Sequence, residues 1–568
     1  MKKGALNNVW MLNLGILVVA TVLIGKLGYL QIAQGEMYRD RAEKQYATPA
    51  GGSFDRGTIF FSEKTGRKIS AATVVPDYTL AIDPSQIALP QKLADELAGI
   101  VSFDKVDFLN KASNKSDRYK EIVRHLGEKE IEKIKALNEK GIILKKDKKR
   151  FYPGGKTAAQ VIGFVGSDGE TLAGRYGLER YYNETLKRAG NDSSSGFFAD
   201  LFLKAGKTIL SDRGREGDLV TTIDPSVQGM LERVISDDVL KKYSAAQASA
   251  IIMNPKTGEI YAMAAAPTFD PNNFSKEKNE AVFVNPSVEG VYEMGSIIKP
   301  LTVAAGIDAG VITAQTTYDD KGFVVVNKKK ISNYDGKGRG VVPMQTILND
   351  SLNTGTMFIE SRLGNSRFAD YFKAYGLGQE TGIDLPNEAR GNINNLSSPR
   401  DIEYATASFG QGISMTPIET IRALAALGNG GVLVTPHVVK ATLYGLGITQ
   451  DFVPGGEKRV IKKETSDEIS RMLTVVFDKA LMNGALKMDH YSIAAKTGTA
   501  QLVEKGAYSK TDFIHTFFGY FPSRDPKFIV LLVVKNPRGE EYASHTLSLP
   551  FMQIAKFLLN YYEIPPDR

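Results

Sequence analysis

Residues 9–25, VWMLNLGILVVATVLIG, form an apolar run of 17 residues without a charge. As a helix they extend about 25 Å. Lys26 has a stem long enough to reach an interface, and LGYLQIA behind it completes a membrane span. The run exceeds the apolar part of a secretory signal and no A-x-A site follows, so an uncleaved anchor is expected within residues 1–33. FIVLLVV (528–534) is equally apolar but too short to span, and it predicts a buried strand.

Elsewhere the periodicity changes along the chain. Residues 34–240 mix short strands, charged helical stretches such as 119–140, and loops, with GNDSSSGFF (190–198) the most linker-like segment. After Ala246, QASAIIMN, PKTG and EIYAMAAA read as strand, turn and strand, and TIFFS-EKTG-RKISAATV near residue 60 reads the same way. YSIAA (491–495) runs straight into KTGTAQL without a turn signal, and FIHTFFGYF, PSRDP and KFIVLLVV make a further hairpin. Between 296 and 480 the pattern is mainly helical, as in TPIETIRALAALGNGG. Strands at both ends of a helical middle predict an α+β domain over 241–568, an antiparallel sheet packed by helices with a helical subdomain. The whole is a multidomain α+β chain: an anchor, a mixed region over 34–240, and this C-terminal domain.

Composition narrows the chemistry. An apolar content of 42% with 24% charged residues is that of a globular protein. The excess of 71 basic over 64 acidic residues is spread too thinly for a nucleic-acid surface, and the one dense run, KKDKKR (145–150), reads as a solvated face or turn. The absence of cysteine removes disulfides, thiolate metal sites and cysteine nucleophiles. The five histidines (125, 437, 490, 515, 545) have no paired spacing, and G-x-S-x-G is missing, so zinc and Ser-His-Asp hydrolases are disfavoured.

Serine chemistry without histidine needs another base within reach of the alcohol. Ser296-Ile-Ile-Lys299 supplies it: Pro300 is tolerated only near a helix start, so Ser296 and Lys299 share one face of a first turn. The same helix end offers N–H groups to an oxyanion. S-x-x-K also occurs at Ser102–Lys105 and Ser275–Lys278, so the motif means little alone. Fifty-five residues on stands Ser351-Leu-Asn353, whose hydroxyl can relay a proton and whose amide can hold both substrate and Lys299. Lys-Thr-Gly occurs at 64–66, 256–258 and 496–498, and the first two copies are hairpin turns. The third is different: on an edge strand, Gly498 lets a substrate backbone approach, while Lys496, Thr497 and Thr499 can bind a carboxylate. A second cation there would also lower the pKa of Lys299.

The three motifs in this order resemble those of penicillin-binding proteins. FDRGTIFF near 54–61, GLERYYNETL (177–186), TTIDPSVQ (221–228), TGIDLPNEARG (381–391) and FGQGISMTPIETIRALAALGNGG (409–431) also resemble segments of the class B members. The chain departs at Ile297-Ile298, where Thr/Val-Phe/Val is more usual, and packing rather than chemistry is expected to differ.

The resemblance implies a membrane-anchored peptidoglycan D,D-transpeptidase, more similar to the septal cell-division type than to the elongation type, with residues 34–240 as an elongated mixed, non-catalytic pedestal for dimerisation or interaction and 241–568 as the transpeptidase domain. Ser296 would attack the penultimate D-Ala of a stem peptide, Lys299 would take its proton, and the N–H groups of Ser296 and Thr499 would hold the oxyanion. Ser351 would protonate the departing D-Ala, an amine acceptor would resolve the acyl-enzyme, and β-lactams would trap it. No metal or organic cofactor is called for. The implied partner is a polytopic glycan polymerase of the shape, elongation, division and sporulation (SEDS) family, together with other division proteins. The catalytic part would lie outside the cytoplasmic membrane with the N-terminus inside. A serine β-lactamase is the alternative enzyme, with Glu388 as its deacylating group, and a non-catalytic scaffold or β-lactam sensor is the alternative outside catalysis.

Overall fold

The computed structural model describes residues 54–168, 171–188, 216–504 and 507–568. The expected anchor at 9–25 and the linker-like 190–198 lie outside them. Among the described residues, no helix is long and apolar enough to cross a membrane.

Two sheets organise the chain. The C-terminal one has five antiparallel strands in the order Ala494–Glu504, Ala507–Phe521, Phe528–Lys535, Gln247–Met253, Ile260–Ala266. Strands from the two ends of the region thus meet in one sheet, with helices on both faces. Alternation along Phe528–Lys535 shows why its sequence is continuously apolar. Ile529, Leu531 and Val533 enter one core with the helices around Leu301, Ile418 and Leu473, whereas Val530, Leu532 and Val534 enter another under Ala543–Tyr561. Buried on both faces, the strand has no solvent side to carry polar residues.

The second sheet has seven strands. Thr449–Asp451, Val439–Tyr444, Gly217–Thr221, Ile59–Ser62 and Lys68–Ile82 lie side by side, and Lys120–Val123 and Ile142–Phe151 both pair with Lys68–Ile82. It therefore draws strands from both sides of residue 240.

Several expectations are corrected. The charged stretch 119–140 is helical only over Glu128–Ala136, because Lys120–Val123 is taken up as a strand beside Leu80–Ile82. KKDKKR is not a turn but part of the edge strand Ile142–Phe151, with Lys146 and Lys148 exposed. Lysines on an unpaired edge discourage further strand addition. The helical middle also contains two small hairpins, Thr317–Asp320 with Gly340–Pro343 and Phe323–Val326 with Lys329–Ser332.

Candidate active site

The segment bearing Ser296 is a 3₁₀ turn, Gly295–Ile298, leading into the helix Lys299–Asp308, with Pro300 in its first turn where a missing N–H costs nothing. Gly295 has φ +61°, and its N–H donates to Gly410 O at 3.2 Å. Thr302 Oγ1 donates to Ser408 O at 2.7 Å, so the FGQG segment clamps the turn from behind. Ile297 and Ile298 are fully buried in the main core, as their position away from the chemistry requires. Ser296 is half-buried, and its hydroxyl has no hydrogen-bond partner among the described residues.

Ser351 is the meeting point of the two lysines. Lys299 Nζ donates to Ser351 O at 2.5 Å and to Ser351 Oγ at 3.1 Å, and Lys496 Nζ donates to the same Oγ at 3.1 Å. To offer both oxygens, Ser351 adopts φ +54°, a left-handed conformation that costs a non-glycine residue about 1–3 kcal/mol. Asn353 does not hold Lys299 as expected. It opens the helix Asn353–Leu363, and its Nδ2 donates to Ser332 O at 2.9 Å.

The third Lys-Thr-Gly lies on Ala494–Glu504, the edge strand of the five-stranded sheet, with one side unpaired. The other two copies are turns, with Gly66 and Gly258 both at φ +82°. Gly498 has a reason invisible in the motif: a Cβ there would meet Thr516 Oγ1 at 2.4 Å, Met294 O at 2.8 Å and Ile297 N at 3.0 Å. The strand lies so close to the Ser296 turn that only glycine fits. Thr499 Oγ1 accepts from Ala543 N at 3.1 Å, capping the last helix, whereas the Thr497 hydroxyl has no partner among the described residues.

Burial sets the electrostatics. Lys299 is 1% exposed and held well below its usual pKa, first by desolvation and then by the charge of Lys496. Desolvation brings Lys496 down to about 8. The expected repulsion between the cations is present but is the smaller cause. At neutral pH Lys496 thus keeps its proton, while Lys299 gives up its own more readily than an ordinary lysine.

Sequence reasoning missed the support behind Ser351. Asp320, 1% exposed, accepts from Thr354 Oγ1 at 2.8 Å, Gly322 N at 2.9 Å, Arg339 N at 3.0 Å and Asn333 Nδ2 at 3.1 Å. This ties the 317–343 hairpins to the start of the Asn353 helix. Asp320 and Asn333 sit in turn-like contexts that carry no such signal. Glu388, the candidate deacylating group, folds onto its own loop: it accepts from Thr381 N and Thr381 Oγ1 at 2.6 Å and from Gly382 N at 3.0 Å. Ser102–Lys105 and Ser275–Lys278 gain no such partners; Lys105 pairs with Asp95 at an exposed position and Lys278 is exposed.

Residues 248–555 match the penicillin binding protein transpeptidase domain, and residues 55–195 match the penicillin-binding protein dimerisation domain. Stage V sporulation protein D of Bacillus subtilis is 31% identical over 545 residues, covering 94% of this chain and 82% of its own. The probable peptidoglycan D,D-transpeptidase PenA of Neisseria gonorrhoeae is 27% identical over 97% of this chain and 92% of its own. Among solved structures, penicillin-binding protein 2X of Streptococcus thermophilus superposes with a TM-score of 0.72 at 22% identity, over 90% of this chain and 80% of that one. Penicillin-binding protein 3 of Mycobacterium tuberculosis, in complex with aztreonam, gives 0.68 at 22% identity, over 91% and 98%. With its motifs gathered at one edge strand, the chain belongs to the class B penicillin-binding proteins, a dimerisation domain followed by a transpeptidase domain.

Proposed function

We propose that this peptidoglycan D,D-transpeptidase works through a Ser296 acyl-enzyme. The observation that carries the reading is the Ser351 hydroxyl, placed between Lys299 and Lys496 at 3.1 Å from each amine. Ser296 Oγ attacks the carbonyl carbon of the penultimate D-Ala while neutral Lys299 accepts its proton. The N–H groups of Ser296 and Thr499 face the oxyanion, and Lys496 with Thr497 and Thr499 receives the terminal carboxylate. As the C–N bond breaks, the proton passes from Lys299 through Ser351 to the departing D-Ala nitrogen. Attack by an acceptor amine on the ester then forms the cross-link and frees Ser296. A β-lactam follows the first half, but its leaving nitrogen stays attached and the ester persists.

Around this centre we assign residues 1–33 to a cytoplasmic tail and anchor, 34–240 to the pedestal and 241–568 to the transpeptidase domain. The catalytic domain faces the extracytoplasmic side, acting in septal wall synthesis beside a SEDS polymerase. The likeness of SLNTGTMF and FGQGISMTP to division-type members supports the septal assignment.

Labelling with a fluorescent penicillin tests the centre. The wild-type chain should retain one label for hours and Ser296→Ala none. A label on Ser296→Ala would overturn the assignment, and loss of the wild-type label within minutes would mark a β-lactamase.

A further inference from the structure

Behind the Asn353–Leu363 helix is a cavity of about 600 Å³ that the transpeptidase mechanism leaves unused. Its floor is the helix face bearing Met357 and Phe358, and its roof is the Phe323–Val326 strand. Tyr318 stacks on Phe358 with ring centroids 5.4 Å apart, giving one wall an aromatic surface.

Into this mostly apolar lining comes Glu360, which is 4% exposed and whose carboxyl takes part in no hydrogen bond or ion pair among the described residues; its Oε1 is sealed from solvent. A buried carboxyl without a partner carries its whole desolvation penalty. Burial and then the nearby Asp401 raise its pKa to about 7. Asp401 also lines the cavity and is bonded only on one side, where its Oδ1 accepts from Asn365 Nδ2 at 2.9 Å. Three acids line the cavity, Asp319, Glu360 and Asp401, against one lysine, Lys321, which forms no ion pair among the described residues, so the lining beside this aromatic wall carries an excess of negative charge. Among the described residues, no three carboxylate or imidazole side chains converge as metal ligands, so a divalent ion would be poorly held.

We propose that this cavity is a second ligand site, taking a small organic ammonium whose charge meets Glu360 and Asp401 and whose apolar body packs on Tyr318, Phe323 and Phe358. The volume is that of a site for a small molecule. A charge-assisted hydrogen bond to Glu360 would supply the selectivity and ring contacts the remaining affinity.

The test uses the full-length chain in detergent, with phenethylammonium as probe and phenylacetate, of similar size and opposite charge, as its control. Calorimetric titration should show one saturable phenethylammonium site and none for phenylacetate. Glu360→Gln should weaken binding about tenfold or more while Ser296 still labels with fluorescent penicillin. Phe323→Ala, on a strand whose phenylalanine is 42% exposed and so removable without a core cavity, should weaken it severalfold. Chain already acylated by penicillin should bind the amine undiminished, separating this cavity from the catalytic cleft. No saturable binding, equal binding of phenylacetate, unchanged affinity in both variants, or binding blocked by acylation would each overturn the proposal.

Discussion

Ser351 is a serine forced into a left-handed backbone so that two lysines can share it. The proposed mechanism asks opposite protonation states of those lysines, and burial lowers the pKa of both. Acylation by penicillin should trace a bell against pH. Its alkaline limb should fall near pH 8, as Lys496 loses its proton, and its acid limb should reflect protonation of Lys299, whose pKa lies well below the usual lysine value. The same depression costs stability. A base with a lowered folded pKa binds fewer protons folded than unfolded, so the penalty is full below about pH 8 and fades towards the unfolded value near pH 10.4. Lys496→Met should therefore slow acylation by roughly 100-fold or more. It should also raise the urea midpoint at pH 7, by on the order of 1–3 kcal/mol of stability. Unchanged or lower stability would mean that the bonds of Lys496 to Ser351 and Thr497 outweigh its burial.

Strand and turn meet at Gly498, Gly295 and Gly410, where three backbone segments approach too closely for a side chain. Gly295 and Gly410 also need positive φ, at +61° and +84°. Gly498→Ala should push the edge strand from the Ser296 turn, since its Cβ would meet backbone atoms Met294 O and Ile297 N. We expect at least a tenfold loss in acylation rate with about 1–3 kcal/mol of destabilisation in urea titration. Full activity in this variant would show that the strand can shift freely. Much of this level was legible in the residues: Pro300 marked the helix start, and the turn residues around Lys64 and Lys256 separated two hairpins from the strand at Lys496. What could not be read was Lys120–Val123, whose charges look helical but whose backbone pairs with Leu80–Ile82. Strand pairing depends on a neighbour forty residues away, and local pattern does not contain it.

The longer-range design joins the two parts of the chain. Val439–Tyr444, from the C-terminal part, completes the sheet that holds Ile59–Ser62 and Gly217–Thr221. Nearby, Glu179 is fully buried between two guanidiniums, accepting from Arg56 Nε at 2.5 Å and Arg150 Nε at 2.6 Å. Glu179→Gln would leave both cations buried without a counter-charge, and should cost about 3–5 kcal/mol in chemical unfolding. A loss below 1 kcal/mol would mean that water reaches the cluster.

Residue types and their spacing were enough to single out the Ser296–Lys299 turn and the edge strand beside it, because each motif imposes a local conformation: proline at a helix start, glycine at a turn, an apolar run in a buried strand. The partners of those groups followed from folding. Lys299 binds Ser351 rather than Asn353, Gly498 makes room for the Ser296 turn, and Asp320 braces the Ser351 turn. These contacts join residues far apart in the chain, and only packing sets which polar group lies within about 3 Å of which.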